Sequence, residues 1–198
     1  MSEGKLPPHL GGQVQGNIDI ALMSYIKEIF PEFKTIVDVG CGNGKAVKTY
    51  VDELGLESFA AFDGDWTKLP KEDNYHLHDF SEGKVEFTPK DVSFDVAYSV
   101  EFLEHVEEEY QENYMDIIAR GKYAVVTAAR PGQPGHHHVN CRTPEYWYEV
   151  FAKYGFDYLA EETEEAKKRS VNKSNDGRIK PPADQYFKQN GMIFRKKD

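Results

Sequence analysis

Thr35-Ile36-Val37-Asp38-Val39-Gly40-Cys41-Gly42-Asn43-Gly44 is the stretch that decides the fold. Its first half is β-branched and apolar without alternation, as a strand buried on both faces requires. Asp38 stands at the strand end, where it can accept a hydrogen bond or face a cation. Glycines then recur at every second position, and a helix-compatible run opens at Lys45. Strand, tight turn and helix N-terminus in that order let backbone and ligand approach closely, because glycine has no Cβ to hold them apart. The dinucleotide fingerprint Gly-x-Gly-x-x-Gly is not met, since its last glycine falls on Lys45.

Outward from this turn, strands alternate with helices. Strands are predicted near 35–39, 59–62, 75–77, 94–99, 123–127, 156–159 and 192–195, with helices near 44–54, 104–120 and, capped by Thr143, to about Tyr154. Ile18, Leu22, Tyr25, Ile26 and Ile29 recur at helical spacing, with Asn17 as N-cap and Pro31 as the stop. Residues 1–16, with Pro7-Pro8 and Gly11-Gly12, read as a flexible lead to one domain over 17–198, in which 161–184 is charged and loop-rich. The expected fold is a Rossmann-like, doubly wound α/β domain with a mostly parallel seven-stranded sheet and helices on both faces. Ligands bind such sheets beyond the carboxyl ends of the strands, where Asp38, Asp63, Asp79, Glu101 and the loop after Thr127 converge.

The chain has 198 residues and a formal net charge of −10, a balance that disfavours broad binding to nucleic acid. Its two cysteines, Cys41 and Cys141, read as reduced thiols, and no apolar run is long enough to span a membrane. The N-terminus lacks a secretory signal, so the expected setting is soluble and cytoplasmic.

Several ordered stretches carry a family resemblance: Asp38-Val39-Gly40-Cys41-Gly42, Asp63-Gly64-Asp65-Trp66, His78-Asp79-Phe80, Ser99-Val100-Glu101-Phe102-Leu103-Glu104-His105 and His138-Val139-Asn140. From about Asn17 to Arg195 the chain resembles class I S-adenosylmethionine (SAM) methyltransferases, and within them a group of bacterial type. Phe80, Arg130 and His136-His137 depart from that group's usual residues. The resemblance implies SAM as cofactor, with Val39 to Gly44, Gly44 included, around its methionine part. Asp63, about 20 residues beyond the glycine turn, is placed to accept from both ribose hydroxyls, with Gly64 beside it. By resemblance Asp79 reads the adenine amino group and Phe80 borders the ring, and Ser99 is counted with the cofactor site. A turn aspartate is the alternative for Asp63, and a turn or helix-cap role the alternative for Asp79.

Glu101, Glu104 and His105 stand at i, i+3 and i+4, on one face if a helix begins near Glu101, and His136, His137 and His138 lie in the next loop. Glu-x-x-Glu-His after the fourth strand is similar to the metal-binding segments of ubiquinone-pathway O-methyltransferases and of small-RNA 3′-end ribose methyltransferases. Glu101, Glu104, His105 and His138 are therefore expected to hold a divalent cation (Mg, Mn, Fe or Zn). The same residues allow a metal-free site with His138 or His105 as general base, or a structural role. Glu101, His105 and His138 are the catalytic candidates. The expected activity is O-methylation of a small polar molecule or saccharide. A non-catalytic SAM-binding subunit and a nicotinamide-dependent oxidoreductase are the alternatives, and the oligomeric state is not legible.

Overall fold

The computed structural model describes residues 5–11, 16–86 and 92–197. Among them, strands β1 (Thr35–Val39), β2 (Ser58–Asp63), β3 (Tyr75–Leu77), β4 (Phe94–Ser99), β5 (Gly121–Thr127), β6 (Phe156–Tyr158) and β7 (Gly191–Lys196) form one sheet. Its order is β3-β2-β1-β4-β5-β7-β6. The first five strands pair in parallel, and β7 runs antiparallel to both β5 and β6. The chain steps outward from β1 to β3 and then returns to β4. A crevice therefore opens beyond the carboxyl ends of β1 and β4, at the point where strand order reverses.

The helices are α1 (Ile20–Ile29), α2 (Lys45–Leu54), α3 (Gln111–Ile118), α4 (Pro144–Lys153), α5 (Ala160–Arg169) and α6 (Tyr186–Asn190). Strand residues alternate between two apolar layers, as the pleat requires. Ile36, Val96, Tyr98, Val125 and Ile193 meet Leu22, Ile26, Val47 and Tyr50 on one face. Val37, Val39, Ala97, Ala124, Val126 and Phe194 meet Tyr114, Met115, Trp147 and Phe151 on the other. Each fully buried side chain of this size adds about 1.5–3 kcal/mol of transfer free energy. Trp147 is fully buried, and Tyr146 and Tyr148 pack at the edge of its layer. Both cysteines are free. No helix among the described residues is long and apolar enough to cross a membrane.

Three expectations are corrected. Asp19, not Asn17, caps α1: its Oδ1 accepts the Leu22 N–H at 2.9 Å. Asn17 is drawn away, because its Oδ1 accepts from Lys180 Nζ at 2.7 Å and Asn172 Nδ2 at 3.3 Å. The long helix expected over 104–120 is broken into 3₁₀ turns at Leu103–His105 and Glu108–Tyr110 before α3 starts at Gln111, because Val106 and Glu107 are extended. The segment expected to be loop-rich opens with α5, where Glu161 and Glu162 fill the first turn and Lys167, Lys168 and Arg169 the last, each complementing the helix dipole. The lead expected over 1–16 falls partly outside the described residues. Of its described residues, 5–11 and 16, His9, Leu10, Gly11 and Gly16 line the crevice, with His9 bonded to Asp79.

Candidate active site

The crevice holds a cavity of about 630 Å³, within the range of small-molecule sites. Asp38, Gly40, Cys41, Gly42, Asp63, Gly64, Asp79 and Phe80 line one end, and Glu101, His105 and His138 the other. Val39, Gly44 and Ser99, expected at the cofactor, do not line it. Val39 is fully buried in the core. Ser99 is sealed beneath the turn, its hydroxyl donating to the Val39 carbonyl at 2.8 Å. Gly44 opens α2 under the Tyr75 ring.

The glycine turn is held by its own hydrogen bonds. Gly40 and Cys41 N–H both donate to the Phe62 carbonyl, and Gly44 N–H donates to Cys41. Gly42 N–H donates to Asp63 Oδ2 at 2.7 Å, while Asp63 Oδ1 accepts the Asp65 N–H at 2.8 Å. These N–H groups are thus already used, and the turn has few donors left for a pyrophosphate. Its charge points the same way. Burial, with Asp63 nearby, pushes the Asp38 carboxyl well up, and burial also raises Asp63. Two buried carboxyls whose ionised forms burial disfavours, beside a turn poor in free donors, gain more from a cationic ligand than from a dinucleotide. A Cβ built on Gly42 would meet nothing within 4 Å, so the space above it is open to a ligand. On these observations the residues fit SAM. Asp63→Ala is expected to weaken SAM binding by roughly 1.5–3 kcal/mol for each charge-assisted bond lost, and equilibrium titration measures it.

At the other end, the loop after β5 is tied to the turn after β4: Val139 and Asn140 N–H both donate to the Glu104 carbonyl at 3.0 Å. This brings His138 beside His105, with ring centroids 4.9 Å apart. Among the described residues, Glu104, His105 and His138 each offer one ligand atom within 4.8 Å of the others. Glu104 is fully buried, and neither carboxylate oxygen has a hydrogen-bond partner. Burial, reinforced by Glu101, pushes its pKa up. Nearby backbone N–H groups restrain that shift without closing a bond.

His105 Nδ1 lies 2.8 Å from the His136 carbonyl and His138 Nδ1 3.0 Å from the Gln133 carbonyl. A carbonyl cannot donate, so each ring carries its proton on Nδ1 and keeps a lone pair on Nε2, as a metal ligand requires. Burial, then the neighbouring His138, lowers the His105 pKa to about 4, so the ring stays neutral. An orphaned carboxyl and two imidazoles oriented by carbonyls fit a divalent cation of mixed O/N preference.

Glu101, expected as a fourth ligand, is not in this set. Its carboxylate takes a hydrogen bond from the Thr127 hydroxyl at 3.2 Å, and its backbone sits at φ 57°. That conformation is rare for a side chain of this size and stores strain at the cavity wall. Burial raises the Glu101 pKa, opposed by Thr127 and Lys180. His137 turns away from the cluster to bond Glu107 at 3.0 Å. His9, Leu10, Asn17, Gln133, Asp184 and Gln189 also line the cavity, and sequence reasoning missed them. They come from distant segments with no local motif. The pattern Asp-x-Ser at Asp79–Ser81 was the one local signal, since it marks a side chain bonded back to its own turn.

Residues 37–120 match the family described as "Methyltransferase domain", a span running from β1 through α3. No curated protein matches the chain significantly in sequence. The fold is similar to magnesium protoporphyrin IX methyltransferase (ChlM) from Synechocystis PCC 6803 with bound SAM, at TM-score 0.55 and 10% identity, covering 89% of this chain and 76% of that one. Human N-acetylserotonin methyltransferase in complex with SAM gives TM-score 0.54 and 12% identity, covering 90% of this chain and 51% of that one. The methyltransferase domain of bacterial CtHen1 gives TM-score 0.52 and 14% identity, covering 87% and 96%. The matched segment is thus that of a methyltransferase domain, and the fold is one that SAM-bound methyltransferases share.

Proposed function

We propose that this chain methylates a hydroxyl of a small polar molecule or saccharide, with a divalent cation at Glu104, His105 and His138. The carrying observation is the buried Glu104 carboxylate without a partner, beside two imidazoles whose lone pairs are fixed by carbonyls. A buried carboxyl in that state costs about 1–3 kcal/mol, a penalty that a ligand relieves. SAM, when bound, supplies a sulfonium methyl for in-line transfer. A divalent cation, when bound, acidifies a chelated hydroxyl and neutralises the carboxylate. Asp63 holds the ribose, Asp79 the adenine amine, and Asp38 faces the positive end of the methionine. Glu101, aimed at the acceptor end by its left-handed backbone and raised in pKa, takes the hydroxyl proton onto its carboxylate. The cavity volume suits a small acceptor better than a polymer, and the net charge of −10 points the same way.

The pH dependence follows from the shifts. Metal binding must displace the proton that burial keeps on Glu104, so affinity for Mn²⁺ is expected to rise with pH through the raised Glu104 titration. The metal-free protein behaves oppositely. Its folded form holds protons on Glu101 and Glu104 that the unfolded chain releases, so stability falls as pH climbs from the ordinary carboxylate range through their raised values. His105, lowered to about 4, adds stability with rising pH only up to its ordinary value near 6.5. From pH 6.5 to 8, therefore, melting temperature should fall without metal and recover with Mn²⁺. Full turnover in excess chelator would reject the metal and leave Glu101, His105 and His138 as the base candidates.

A further inference from the structure

His9 and Leu10 belong to no motif and lie in the segment expected to be a flexible lead. In the structure they form a wall of the cavity at its adenosine end, together with Gly11. The Leu10 N–H donates to the Pro7 carbonyl at 3.0 Å, which folds this stretch into a turn. His9 Nε2 then donates to Asp79 Oδ2 at 2.7 Å across 70 residues of sequence. Neither group is fully solvated, with side chains 31% and 15% exposed. The Leu10 side chain lies against Gly64, where a Cβ would come within 2.6 Å of its Cδ2. Gly64 follows Asp63, the residue placed at the ribose. One short turn thus touches both ends of the nucleoside subsite. The His9 ring also comes within 6.1 Å of the His137 ring, so the turn reaches across to the loop after β5.

The bonding at Asp79 makes this more than a surface contact. Oδ1 accepts both the N–H and the hydroxyl of Ser81, at 2.9 and 2.7 Å, which uses its two lone pairs. Oδ2 accepts from His9 and keeps one lone pair. The carboxylate can therefore serve one further donor, and His9 fixes the direction in which that lone pair points.

We propose that His9 and Leu10 are cofactor-site residues: His9 orients the Asp79 carboxylate toward the adenine amine, and Leu10 covers the nucleoside over Gly64. This rests on the reading of the cavity as a SAM site. Because this turn walls the adenosine end of the cavity, its contacts with the bound nucleoside slow cofactor release.

The test measures S-adenosylhomocysteine binding to the full chain, at equilibrium and by stopped flow. His9→Ala and Leu10→Ala should each weaken binding roughly tenfold, the equivalent of one interaction of hydrogen-bond size. Most of that change should be faster dissociation, with the melting temperature of the free protein unchanged. A purely structural role would move melting temperature instead. In the wild type, the amides of His9, Leu10 and Gly11 should exchange more slowly once the ligand binds. Adding His9→Ala to Asp79→Asn should cost no more than Asp79→Asn alone, since both act on one bond. Unchanged affinity and release rate in both single variants would overturn the proposal. Tighter binding in His9→Ala would also overturn it, by showing that His9 competes with adenine for Asp79. A wild-type protein that fails to bind S-adenosylhomocysteine would overturn the cofactor site itself, and this proposal with it.

Discussion

Glu104→Met is expected to abolish most methyl transfer while making the metal-free protein more stable. The two effects have one cause. The Glu104 carboxylate is fully buried, unpartnered and raised in pKa by burial and by Glu101. An apolar side chain of similar volume removes that penalty, a gain of about 1–3 kcal/mol. Activity should fall by at least about 10²-fold, because losing an outer-shell partner of a metal ligand already costs 10–100-fold. Thermal unfolding without metal and turnover with Mn²⁺ report the two sides. A residue that only packed the core would lose stability on the same change. Removing a costly, unpartnered buried carboxyl from a site built for ligands has the opposite sign.

Gly42→Val should eliminate cofactor binding and leave a folded domain, whereas Gly40→Val should damage both. Gly42 sits at φ 57°, and a Cβ there meets nothing within 4 Å, so the added methyls enter the cavity. The left-handed backbone adds about 1–2 kcal/mol of strain. Gly40, at φ 82°, faces the Phe102 ring, and a Cβ would lie 2.4 Å from its Cδ2. Phe102 leads into the turn that presents Glu104 and His105, so the clash spreads to the other end of the site. S-adenosylhomocysteine titration and circular dichroism distinguish the two variants. Normal cofactor affinity in Gly42→Val would move the cofactor out of this turn.

Most of the sheet was legible because its central strands are buried on both faces, and short runs such as Thr35–Val37 and Val96–Tyr98, β-branched or aromatic and bounded by turn signals, read as buried strands. The glycine turn and Asp63 were legible for the same local reason: strand end, turn and helix start are contiguous. The stretch after β4 was not. Glu101, Glu104 and His105 have helical spacing, yet Glu101 adopts a left-handed backbone and Val106 is extended, so Glu101 leaves the face it would share on a helix. The pull comes from Thr127 on β5 and from the His138 loop, and no window around residue 104 contains either. Asn17 failed as a cap for a similar reason, since Lys180 and Asn172 engage its side chain from the far end of the chain. His9 stood among prolines and glycines, where composition signals a lead and says nothing of docking.

The most direct measurement is calorimetric titration of the purified chain with S-adenosylhomocysteine, with NADH as the comparison ligand, in wild type and Asp63→Ala. The account predicts one site per chain for S-adenosylhomocysteine, weakened at least tenfold in the variant, the loss expected for one charge-assisted bond, and no heat from NADH. Binding of NADH, or S-adenosylhomocysteine binding indifferent to Asp63, would contradict it.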